Sequence, residues 1–76
     1  MYNDPQISVF LNWLNNYIER QIDSGHTPAY NDLSIIEELS KIKNVYSKNF
    51  LIEKHLCKKF KDVDKESIIL LYSMDN

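Results

Sequence analysis

The stretch from Asp4 to Gly25 constrains this chain most, because it reads as one long amphipathic helix punctuated at both ends. The Asp4 carboxylate can accept from the free backbone N–H groups of the first turn. Pro5 suits the first helical position, where its missing donor is not needed and its φ is already helical. Asp23-Ser24-Gly25 places the chain's only glycine where a left-handed residue commonly closes a helix. Between these ends, Ile7, Leu11, Leu14, Ile18 and Ile22 recur at spacings of three and four. Phe10 and Tyr17 widen that stripe, and Val9 and Trp13 extend it further. The apolar arc spans roughly 200°, about twice what one buried face needs. Ser8, Asn12, Asn15, Asn16, Glu19 and Asp23 hold the wet side. Such a helix is expected to be central and packed on two flanks, since large aromatics are mostly core. Alternatively, the flank carrying Val9, Trp13 and Tyr17 stays open for a partner protein.

The remaining residues supply shorter helices. Thr27-Pro28 can start a helical turn, and a cleaner start follows at Asn31 or Asp32, with Ser34 and Glu37 as a competing capping box. That second helix is expected to bury Ile35, Ile36, Leu39 and Ile42, with Leu33 at its margin. Asn44 is read as a left-handed helix end, so the third helix would begin at Ser47 or Asn49. Its stripe is Ile52, Leu56 and Phe60, flanked by Phe50 and Cys57; Glu53 falls inside the apolar arc, a local inconsistency. Asp62-Val63-Asp64 reads as a turn, and Asp64 can cap a last segment. Ile68 to Tyr72 fits strand or helix, but a strand lacks a convincing partner, which favours a helix. The expected fold is all-α: one domain of about four helices, near 5–23, 32–43, 49–61 and 65–74, packed around the first.

Composition narrows the class. The chain has 76 residues, 43% of them hydrophobic, enough for one core and too much for disorder. A chain this short buries only about 60% of its unfolded surface, so dimerisation would be a common remedy. The single cysteine, Cys57, fits a reducing compartment. No apolar run approaches the ~20 residues of a membrane span, and the first residues lack a signal-peptide pattern. The expectation is therefore a soluble, cytoplasmic or otherwise intracellular protein. Abundant Asn, Lys, Ile and Tyr with one Arg also point to an AT-rich genome.

Charge is segregated along the chain. Residues 1–40 carry a balance of −5, residues 41–61 of +6 and the tail of −3, giving the net −2. Lys54, Lys58 and Lys61 recur at four and three, opposite the apolar arc of the third helix, with Lys48 near its start. Such lysines can gather phosphates, steer an acidic protein surface, or simply keep a helix solvated.

Catalytic chemistry finds little footing. His55 and Cys57, two apart on a helix, diverge by about 200° and share no metal. Asp23, Ser24 and His26 crowd a helix end, where capping explains them better than a hydrolytic triad. No glycine-rich phosphate loop is present, and no cofactor is implied. A weak helix-turn-helix likeness covers the second and third helices. It would place Ser47, Lys48, Asn49 and Leu51 near base edges, with Lys54 and Lys58 toward phosphates. Lys43 and Glu53 fall where that motif wants apolar residues, and Asn44 replaces the usual turn glycine. The leading expectation is a non-enzymatic helical module that regulates or inhibits another protein by docking on it. A nucleic-acid-binding regulator, most naturally a dimer, is the rival.

Overall fold

The computed structural model describes residues 4–61 and 63–73, without the side chains of residues 72 and 73. Four helices follow in order: α1 (Pro5–Asp23), α2 (Leu33–Ser40), α3 and α4 (Lys65–Ser73). The third is composite: it runs as Val45–Leu51, widens into a π-helical turn over Ile52–Leu56 and ends with Cys57–Lys59. No strand occurs among the described residues, and Ile68 to Tyr72 lie within α4. Asp62 and Met74, assigned above to a turn and a helix end, lie outside the described residues. No described helix is long and apolar enough to cross a membrane.

α1 forms over the expected span. Asp4 caps it by accepting the Gln6 backbone N–H at 3.0 Å. At the other end, His26 N–H donates to the Gln21 carbonyl at 2.8 Å and Gly25 N–H to that of Ile22 at 2.9 Å. This is the Schellman pattern, and Gly25 takes the required left-handed backbone, with φ of 83°.

Three helix boundaries differ from expectation, two of them for one reason and the third where the third helix ends at Lys59 instead of Lys61. Asn44 does not end α2; it starts α3. Its backbone is extended (φ −76°, ψ 117°) and its side chain accepts from the N–H groups of Tyr46 and Ser47. The chain must therefore leave helical geometry before residue 44, so α2 stops at Ser40 and α3 begins at Val45. Ile42 nevertheless stays buried, held by a bond from its N–H to the Leu39 carbonyl at 3.1 Å. Asp32, not the Ser34/Glu37 box, caps α2 through the Ser34 N–H at 2.8 Å.

The π turn settles the position of Glu53. Hydrogen bonds closing five residues apart bring such residues over one another, which an α-helix does not. Leu51 and Leu56 are both fully buried, and Phe50 meets His55 edge-on at 5.5 Å. Glu53 sits within that turn at the surface and pairs with Lys65 at the start of α4.

The core joins Ile7, Phe10 and Leu14 of α1 to Ile35, Ile36 and Leu39 of α2 and to Leu51, Ile52 and Leu56 of α3. Val63 and Ile68 close it from the last segment. α1 packs on α2 and α3, whereas α4 rests mainly on the π turn. The radius of gyration is 12.0 Å, near the ~11 Å of a compact chain this long.

Candidate functional site

The expected docking flank of α1 divides. Val9 is 68% exposed, but Trp13 and Tyr17 are half-buried against the core. Their rings stack, with centroids 5.0 Å apart and planes 9° from parallel. Trp13 also leans on Phe10 at 6.1 Å. The Tyr17 hydroxyl donates to Asp32 Oδ2 at 2.6 Å, tying α1 to the cap of α2. That bond is the first cause raising the Tyr17 phenol above its ordinary 10.0, burial the second. Val9 instead lines a small groove of about 230 Å³ with Phe10 and Ile42, bordered by the Lys41–Glu38 ion pair at 2.6 Å.

The lysine positions divide as well. Lys54 and Lys58 are exposed on α3 and Lys48 is half-exposed. α3 ends at Lys59, so Lys61 belongs to the turn beyond it rather than to a helical stripe. Two of the residues placed nearest base edges, Ser47 and Leu51, are fully buried. The Ser47 hydroxyl donates to Asp4 Oδ2, fastening the head of α3 to the head of α1. That bond, with the Gln6 N–H, holds the Asp4 carboxyl below its ordinary range.

A further concavity lies at the far end of α1. A groove of about 600 Å³ runs between the last turns of α1, the connection after it and the end of α3. Ile18 and Ile22 form one wall, with Ile22 60% exposed. Thr27, Pro28, Ala29 and Tyr30 form the second, shaped by the Gly25 reversal and a turn in which Asp32 N–H meets the Ala29 carbonyl at 3.0 Å. Phe60 closes the third side, where the backbone leaves the helix (φ −112°, ψ 88°). Lys59 and Lys61 flank Phe60 and are the charged residues of the lining among the described residues. Both are exposed, and neither pairs with a carboxylate among the described residues.

The sequence reading missed this groove. Ile18 and Ile22 were assigned to a buried stripe, and Phe60 to a helix face. The signal available in the sequence was Pro28 and Tyr30 in a connection directly after the last apolar turn of α1. A second sign was an aromatic residue between two lysines at the end of α3.

Nothing in this lining is a nucleophile poised for attack. Cys57 lies elsewhere, and burial, followed by the nearby Asp64 and Glu53 charges, raises its thiol. His55 is lowered by burial first and Lys58 second. Among the described residues, no three His, Cys, Asp or Glu side chains group to hold a metal. Chemically, the groove can accept apolar side chains and, at one rim, anionic groups. No family model, characterised protein or solved structure matches this chain.

Proposed function

We propose that this chain is a non-enzymatic helical interaction module, a regulator or inhibitor that docks on another protein through the groove at the end of α1. The observation carrying this reading is an open apolar concavity that includes a 60%-exposed isoleucine, Ile22. An exposed apolar surface rimmed by polar residues is where partners commonly seat, and aromatic side chains such as Tyr30 and Phe60 are frequent anchors of such contacts.

Co-purification of the tagged chain from its source cells, compared with an Ile22→Asp variant, tests it. Because Ile22 is mostly exposed, the substitution should cost only about 1 kcal/mol, chiefly from placing a carboxylate in the last turn of α1, and leave the circular dichroism spectrum intact. A partner held by the wild type and lost from the variant is the expected result. Equal retention by both forms would remove the groove from the reading.

A nucleic-acid regulator remains the second reading, favoured by the exposed Lys54 and Lys58 on one helix. It requires retention on a DNA or RNA probe that falls steeply with salt and disappears when Lys54, Lys58 and Lys61 become Gln.

A further inference from the structure

We infer that the occupant of this groove is a short acidic segment of a partner protein, with an apolar side chain held among Ile18, Ile22, Tyr30 and Phe60 and carboxylates on Lys59 and Lys61. The inference rests on the docking reading above and adds the chemistry of the partner. At this groove charge complementarity is superposed on shape. The walls are aliphatic and aromatic, and among the described residues the charged members of the lining are both lysines. The other lysines of residues 41–61 do not add to this rim as a group: Lys41 pairs with Glu38 beside the Val9 groove, and Lys48 lies near the head of α3, which is fastened to the head of α1. The positive charge at the groove is that of Lys59 and Lys61, in a chain whose net charge is −2.

The groove is open to the surface between a helix end and a connection, so side chains of a partner can enter it. Its volume of about 600 Å³ lies in the range of sites that enclose a compact ligand, room for a few large side chains of a peptide.

A polynucleotide suits this surface less well. Base edges need hydrogen-bonding partners, and arginine is the commonest reader of guanine. The walls offer Ile, Pro and Phe, and the chain's one arginine, Arg20, is not among the lining residues.

Selection from a displayed library of random peptides about a dozen residues long, counter-selected against Ile22→Asp, tests the inference with the full chain. Enrichment of peptides combining Asp or Glu with Leu, Ile, Phe or Trp is expected. A synthetic copy of an enriched peptide should bind a Lys59→Glu, Lys61→Glu variant about tenfold more weakly, since two favourable contacts become repulsive. Its binding should weaken with added salt. Enrichment of neutral or basic apolar peptides would overturn the acidic chemistry while leaving the docking reading in place. No enrichment over the Ile22→Asp control would overturn both. Binding of a random-sequence DNA duplex or single-stranded RNA that Ile22→Asp leaves unchanged, but the two Lys→Glu changes abolish, would assign the rim to phosphates instead.

Discussion

Trp13 shows how one side chain can be read two ways from sequence and only one way in three dimensions. Its place on the edge of a broad apolar arc allowed either a buried or a partner-facing role. In the fold it is stacked on Tyr17, which is itself anchored to Asp32. Trp13→Ala should therefore lower stability by about 2 kcal/mol, below the 3–5 kcal/mol of a fully buried aromatic because the ring is only half covered. Urea denaturation measures this; an unchanged midpoint with lost partner binding would return Trp13 to a docking role. Val9 and Ile22 are the converse cases. Periodicity assigns both to the apolar arc, yet neither has a covering neighbour, because periodicity reports which face a residue shares and not where the neighbouring helix stops.

At the level of elements, the first helix was legible from end to end because its signals are local: Asp4-Pro5 at one end and Gly25 at the other. The boundary between the second and third helices was not. Asparagine is at home both in a left-handed helix end and as a cap, and at residue 44 the cap prevails by accepting two backbone N–H bonds. Asn44→Ala should cost about 1 kcal/mol, read as a lower urea midpoint with an unchanged slope. The π turn was also hidden, because hydrophobic periodicity assumes α geometry throughout; Glu53 in an apolar arc and the Leu51/Leu56 spacing of five were its traces. Burial of Val63 in a connecting segment had no periodic signal at all.

Across the whole molecule, three carboxylates with lowered pKa tie elements together or cap them. Asp4 receives the Ser47 hydroxyl and joins α1 to α3; Glu53 pairs with Lys65 and joins α3 to α4; Asp64 accepts the Ser67 N–H at 2.8 Å and caps α4. Each has its pKa lowered, from ordinary values of 3.8, 4.5 and 3.8, first by those same partners. A carboxyl depressed in the folded state contributes stability that is fully present above its unfolded value and drains away as pH falls through the folded one. Melting temperature should thus be steady down to about pH 4.5 and fall progressively below it. On the alkaline side Tyr17, raised above 10.0 chiefly by Asp32, contributes stability that persists below that value and is lost as pH climbs through its folded pKa. A melting temperature flat from pH 5 to pH 2 would contradict the role given to these ties.

On the proposed reading, the groove at the end of α1, rather than the Val9 flank or the lysine face of α3, is where the partner seats. Hydrogen–deuterium exchange on the chain alone and in complex with the partner captured by the wild type distinguishes these surfaces. Slowed exchange over residues 18–30 and 57–61, with residues 5–13 unchanged, is the expected result. Protection confined to residues 5–13, or to residues 45–54, would contradict it.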